Sequence, residues 1–393
     1  MLSRSHVLRA LAAAGGAFGT FEQRATSQGL YYRELLRRYE QLSVDQVLAA
    51  VQQVRRPGAL PTEERVAGRS VALPFAPRWS DHQAARGWAL SKLAGVTTIA
   101  VDGSQVTPDA SFSIPLGAIQ IGWFENPHCG EQRYVKDLLF ELVTPEDLAS
   151  ITGNPRSFPE QIVGLVRFER ECAQLQELMY RAARCGIEAL ALFDGSFIIS
   201  FASQVAPELR QRYARAAQAV LRCSQDTGVA VLGYVDSSYA SDLAELLRHT
   251  SGELEAPQVT DARLLAGLLR WGDRTEWWTC ARDDGLGDEP GLTEHYADVC
   301  FCYLRATSNL PPARVEVPRW LVEQKRADRA LDLLRAECVV GLGYPYAIET
   351  ADALAVITAQ DRDRFYALVQ EHLAAQGIAL HYARKAASKR VRR

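Results

Sequence analysis

Between Val96 and Val235 the hydrophobic pattern changes period in a fixed order, and that order leaves few folds open. Val96–Val101, Ile114–Phe124 and Arg133–Val143 are apolar, β-branched runs separated by polar or Gly- and Pro-bearing turns, the pattern of an antiparallel meander. A long 3.6-period stretch, Pro159–Cys185, predicts a helix. It is followed by a buried strand Glu188–Phe193, a helix Pro207–Thr227 and a second buried strand Val229–Val235. The order is βββαβαβ.

That layout is the one expected of an α/β chain with a ribonuclease H-like mixed sheet flanked by helices, with helical N-terminal and C-terminal extensions. A doubly wound dinucleotide fold would begin βαβ with a glycine-rich turn after its first strand. Here the first strand runs into Asp102-Gly103-Ser104, and neither a P-loop nor a strand-linked Gly-x-Gly-x-x-Gly occurs. Residues 1–95 read as a mostly helical arm and possible oligomerisation element, with Leu35, Leu36, Tyr39, Leu42, Val47 and Leu48 at helical spacing before a break at Arg56-Pro57-Gly58. Residues 96–358 read as the functional domain, and 359–393 as a helix and basic tail. After Asp236 the pattern suggests helices near Ser241–Arg248 and Asp261–Trp271, and strands near Glu276–Ala281, Val299–Ala306 and Arg314–Val317. The acidic stretch Asp283–Glu294 is expected to be a mobile loop.

With 393 residues, 48% hydrophobic and 23% charged, the chain has the composition of a globular protein. The alanine-rich start, Met1–Gly19, is broken by Arg4, His6 and Arg9, so neither a secreted nor a membrane-spanning chain is expected. A net charge of −3 excludes a polycation that condenses on nucleic acid unaided. The last ten residues, Arg384–Arg393, nevertheless carry six basic side chains and no acid, which reads either as a solvated tail or as a phosphate-contacting arm. None of the eight cysteines forms a Cys-x-x-Cys pair. Buried free thiols in a reducing, cytoplasmic compartment are expected.

Asp-Gly-Ser occurs twice, each time at the end of a hydrophobic strand: Ile99–Ser104 and Leu190–Ser196. In the expected sheet these strands are neighbours, which sets Asp102 beside Asp194. Two carboxylates so placed repel unless a divalent cation neutralises them. Hard oxygen ligands with open positions suit Mg²⁺ or Mn²⁺ and in-line attack on a phosphate. Asp-Gly also makes ordinary turns, and the pattern alone leaves both readings open. On the preceding helix, Glu177 shares by periodicity the face of Ile162, Val166, Ala173 and Tyr180, where an unpaired charge is costly. It either faces the metal or pairs at the surface with Arg181 at i+4. Asp236, closing the third parallel strand, is a further candidate.

The two Asp-Gly-Ser segments, the helix bearing Glu177, the strand end Gly233–Ser238 and the late Gly343-Tyr-Pro-Tyr346 together resemble the NurA nucleases over roughly Val96 to Ile357. The resemblance implies a metal-dependent, ribonuclease H-like DNA nuclease, a 5′ to 3′ exonuclease with single-strand endonuclease activity in DNA-end resection and repair. It implies Asp102, Glu177 and Asp194 as metal-binding carboxylates, Mn²⁺ as the ion with Mg²⁺ as the alternative, and Tyr344 at the same site. Implied partners are DNA ends and single strands, a HerA-like hexameric ATPase and a second copy of the chain. Ile348–Ala353 departs from the family's late Ala-His-Glu-like segment, placing Asp352 where the histidine is expected. An aspartate can add a ligand but cannot donate a hydrogen bond at neutral pH. The alternative is therefore a weakened DNA-end-binding or ATPase-partner subunit.

His128 and His295 have neither a nucleophile elbow nor a second histidine at ligand spacing, which does not fit a Ser/His/Asp hydrolase. Trp271, Trp277 and Trp278 read either as core or as a base-stacking platform.

Overall fold

The structure, a computed structural model, describes residues 2–378 apart from 110–111, 131–132, 155, 157–158, 256–258 and 283–291. Its chain divides into two compact units: Met1–Ala76 with Asp236–Asp283 and Cys300–Val315, and Pro77–Val235 with Asp284–Val299 and Glu316–Arg393. The first unit opens with α1 (Arg4–Glu40), α2 (Val44–Val51), β1 (Gly58–Pro61) and β2 (Ala72–Leu73). The second then builds α3 (His82–Leu93), β3 (Thr97–Val106), β4 (Gly117–Asn126), β5 (Val135–Val143), α4 (Pro145–Thr152), α5 (Pro159–Arg184), β6 (Ala189–Asp194), a 3₁₀ turn at Ser200–Gln204, α6 (Pro207–Thr227) and β7 (Ala230–Val235). The chain continues through α7 (Asp242–Ser251), α8 (Asp261–Leu264), β8 (Arg274–Thr275), β9 (Trp278–Ala281), α9 (Leu292–Ala297), β10 (Val299–Leu304) and β11 (Ala313–Pro318). It ends with α10 (Arg319–Glu323), α11 (Ala327–Val340), α12 (Tyr346–Ala355) and α13 (Ala359–Ala375).

In the second unit the strand order is β7-β6-β3-β4-β5, with β3-β4-β5 antiparallel and β6 and β7 parallel to β3. This is the ribonuclease H-like sheet, and it follows the expected βββαβαβ order with one added helix. That helix, α4, is specified locally, since Thr144 and Asp147 form a capping box around Pro145 in the first turn. The apolar stripe of α5, including Ile162, Leu165, Phe168, Cys172 and Leu175, is buried. Because side chains alternate along a strand, β3 presents Gly103 and Gln105 towards Arg167 of α5. Asp102 and its cross-strand partner Gly122 face the other way, where Gly122 meets Ala351 and Leu354 of α12. The first Asp-Gly-Ser does not end its strand as expected: β3 continues to Val106 because β4 stays paired with it through Ala118. Only the second copy closes a strand, with Asp194 the last residue of β6 and Gly195 at φ 137°.

The boundary expected at residue 95 falls elsewhere, because the start of the chain shares a core with later segments. In the first unit Tyr39 donates to Glu276 (3.0 Å) and accepts from the indole N–H of Trp278 (3.0 Å), while Arg65 pairs with Glu276 at 2.8 Å. All four side chains are buried. The burial of Trp277 and Trp278 makes them core and removes the base-stacking reading for both. The terminal helix is likewise more than an extension, since Tyr366 of α13 packs on Val106 and Ala118 and stacks on Phe112. The helix expected over Asp261–Trp271 stops at Leu264, with Gly267 in the left-handed region soon after. Of the expected acidic loop, residues 283–291 lie outside the described residues and the rest opens α9; the basic tail also lies outside them. No helix among the described residues is long and apolar enough to cross a membrane.

Candidate active site

The register of the two parallel strands decides how the aspartates meet. β3 and β6 pair up to Val101 and Phe193, so Asp102 and Asp194 are the next residues in line on neighbouring strands, about 4.8 Å apart at the backbone and on the same face of the sheet. Asp102 is half-buried, whereas Asp194 at the end of its strand is exposed. The Tyr344 hydroxyl donates to Asp194 Oδ1 at 2.9 Å, and its ring meets Tyr234 of β7 edge-on at 5.2 Å. The tight chain reversal before α12 positions that tyrosine, with Leu342 at φ 57° and Gly343 at φ 115°.

Helix α12 approaches the site because Gly122 lacks a side chain. A Cβ there would lie 2.8 Å from Leu354 Cβ and 3.0 Å from the Ala351 carbonyl oxygen. The exposed Asp352 on this helix thereby acts electrostatically on Asp102. Burial pushes the Asp102 carboxyl up to about 6; the Gly103 N–H opposes this, the charges of Asp194 and Asp352 add to it, and Arg167 pulls it back down.

The carboxylate that α5 brings to this region is Glu171, not Glu177. Glu171 is buried against Gly103, where a Cβ would collide with its Oε1, and it pairs with Arg167. Arg167 in turn donates to the Gly103 carbonyl (3.0 Å) and to Gln105 Oε1 (3.2 Å). Burial pushes Glu171 up to about 8, with Arg167 opposing and the charges of Asp102 and Asp194 adding to the rise. Glu177 is exposed, and its charge is felt by Arg181 on the same helix.

The correction is geometric. A helix rises about 1.5 Å per residue and a strand about 3.3 Å, so the five steps from Ala189 to Asp194 climb about 17 Å. Counting back along α5 from Arg184, Glu171 lies about 20 Å up and Glu177 only about 10 Å. The face differs from expectation too: Ala173 and Tyr180, which share the face of Glu177, are exposed with it. The i, i+4 pair Arg167 and Glu171 was the available signal, since Glu171 falls in the stripe between Phe168 and Leu175.

Asp236 follows β7 and belongs to the other unit. The two histidine candidates have structural roles. His128 contacts Thr98 and Glu337, and buried His295 meets the Phe197 carbonyl. All eight cysteines are free thiols; six are buried as expected, while Cys129 and Cys185 are exposed. Among the described residues no three His, Cys, Asp or Glu side chains gather tightly enough to enclose an ion. On the α12 face Asp102 and Asp194 stand side by side, with Asp352 acting on Asp102.

Fold and site place the chain among the ribonuclease H-like proteins. The NurA domain family matches residues 96–357, more than half of the chain, and the protein belongs to this family of nucleases. Among solved structures it is similar to crystal structures titled NurA with manganese (11% identity, 70% of this chain and 88% of that chain, TM-score 0.39) and NurA (10%, 70% and 87%, 0.40). It is also similar to the catalytic domain of human endonuclease V (16%, 72% and 88%, 0.33). No curated protein sequence matches.

Proposed function

We propose that this chain is a divalent-metal-dependent deoxyribonuclease, using Mn²⁺ with Mg²⁺ as an alternative, and that Asp102 and Asp194 are the carboxylates that hold the ion. The observation that carries this reading is the pair of in-register aspartates, whose mutual charge helps to raise Asp102 to about 6. Two carboxylates without a closed cage fit such an ion, because Mg²⁺ is commonly held by one or two carboxylates with substrate phosphates and water completing its shell. When bound, the ion supplies charge neutralisation and Lewis-acid polarisation of a phosphodiester oxygen.

The chain's own residues do the rest. Tyr344 fixes Asp194 by its 2.9 Å hydrogen bond. From the opposite face of the sheet, buried Glu171 with its partner Arg167 braces Gly103 and so holds the neighbouring Asp102 in place. Asp352 adds negative charge that a cation relieves. The family suggests 5′ to 3′ exonuclease and single-strand endonuclease action at DNA ends, in repair, beside a HerA-like hexameric ATPase. The exposed Leu8, Leu11, Phe18 and Phe21 of α1 support pairing with a second copy through that helix. Eight free cysteines support a cytoplasmic setting.

The test is cleavage of end-labelled single- and double-stranded DNA with Mn²⁺, Mg²⁺ or chelator. Ion-dependent cleavage whose product ladder shortens from the 5′ end is expected. Cleavage that survives chelation, or none with either ion, sinks the reading.

A further inference from the structure

The two Asp-Gly-Ser segments use their serines differently. Ser104 lies within β3, paired opposite Gln120. Ser196 instead belongs to the turn that follows Asp194, and a buried acid from a distant part of the chain reaches it. Glu316, fully buried on β11, accepts from the Ser196 hydroxyl at 2.9 Å, from the Phe197 N–H at 2.7 Å and from the Ile198 N–H at 3.4 Å. The turn is also held from β7: Gly195 N–H donates to the Tyr234 carbonyl at 3.0 Å, and a Cβ on Gly233 would stand 2.8 Å from the Gly195 oxygen. A carboxylate is costly to bury, and is worth burying where several donors must be fixed together.

We infer that Glu316 is a positioning residue for Asp194, acting through Ser196 and the backbone N–H groups of Phe197 and Ile198. The inference rests on the reading of Asp194 as a ligand. Without Glu316 those donors turn to water, the Gly195 hinge loosens, and Asp194 loses its fixed place beside Asp102.

The full chain and its Glu316→Leu, Glu316→Gln and Ser196→Ala variants are compared for Mn²⁺ affinity by calorimetry, kcat and KM on single-stranded DNA, and amide hydrogen exchange at 195–198. Glu316→Leu should weaken Mn²⁺ binding and lower kcat, each by about tenfold or more, with KM within about twofold and faster exchange at the turn. Glu316→Gln should recover to within about threefold of the parent, because its carboxamide oxygen accepts from Phe197 while its NH₂ donates to Ser196. Ser196→Ala, which keeps Glu316 and both backbone donors, should show a smaller loss of the same kind, and it carries the test if Glu316→Leu does not fold. The inference is overturned if the folded variants match the parent in Mn²⁺ affinity and kcat, or if Glu316→Gln is as impaired as Glu316→Leu. A parent that neither binds Mn²⁺ nor cuts DNA sinks the ligand reading itself; a parent that does both beside equally competent variants sinks only the role of Glu316.

Discussion

Replacing Asp102 by Asn keeps the shape of the side chain and removes a charge that, without a cation, works against the fold. The carboxyl rises from its ordinary 3.8 to about 6 in the native state, so the native state binds the proton more tightly than the unfolded chain does. The stability this contributes is complete below the unfolded value and is lost as pH rises through about 6. At roughly 1.4 kcal/mol per pH unit, the ionised form costs the native state at most about 3 kcal/mol by pH 8. Asn does not ionise. In chelator the variant should therefore be about 1–3 kcal/mol more stable than the parent at pH 8 and little different at pH 4. For a unit of this size that is about 2–4 °C in Tm per kcal/mol. Mn²⁺ should invert the order, since the parent gains about 2.7 kcal/mol at an ion concentration of about one hundred times Kd while the variant gains little. Cleavage should fall at least about a hundredfold, given the several kcal/mol that a metal contributes to charge stabilisation. Differential scanning fluorimetry across pH, with and without Mn²⁺, reads the first two outcomes and a gel assay the third. A variant less stable than the parent at pH 8 in chelator, or one that cuts normally and keeps its Mn²⁺ shift, refutes the reasoning.

Glu177→Gln should leave kcat unchanged and stability within about 0.5 kcal/mol, as for an exposed substitution, whereas Glu171→Gln should lower kcat by about ten- to a hundredfold. The reverse result would restore the assignment read from the sequence. Asp352→His should preserve or raise kcat, because it removes one of the two negative charges beside Asp102; a tenfold fall would instead mark Asp352 as a ligand. Gly122→Ala should lower stability by about 1–3 kcal/mol in denaturant titrations, since the new methyl meets helix backbone that cannot swing aside. Its kcat should fall as α12 carries Tyr344 and Asp352 away, and an unchanged kcat would show that the placement of this helix does not matter to the site.

The second unit was legible because its signals are local. Period-two and period-3.6 runs mark the five strands and two long helices from 97 to 235, though not α4 or the extension of β3 to Val106, and the strand order follows from their alternation. The first unit was not legible, because it is assembled from three separated segments. Tyr39, Arg65, Glu276 and Trp278 meet across more than two hundred positions, and nothing in the helical pattern around Tyr39 announces a partner near Glu276. Without that contact, residues 1–95 read from the sequence as an arm.

At the site, the aspartates are legible for a similar local reason, and so is the turn at Gly195, but not the role of Gly103. Asp-Gly is ordinarily taken as a turn signal, a matter of positive φ. Gly103 is in a strand, and what it supplies is the absence of a Cβ, without which Glu171 and Arg167 could not close on the sheet from the α5 side. Gly122, directly across the ladder, does the same for α12 on the opposite face. The paired glycines let one helix press on each side of the sheet beside Asp102. Burial raises the Asp102 carboxyl, Asp352 of α12 adds a like charge, and Arg167 of α5 opposes the rise. On the reading of Asp102 as an ion ligand, its raised carboxyl depends on Gly122 as well as on the Gly103 of its own motif, which is why Gly122→Ala should disturb a site that it does not touch.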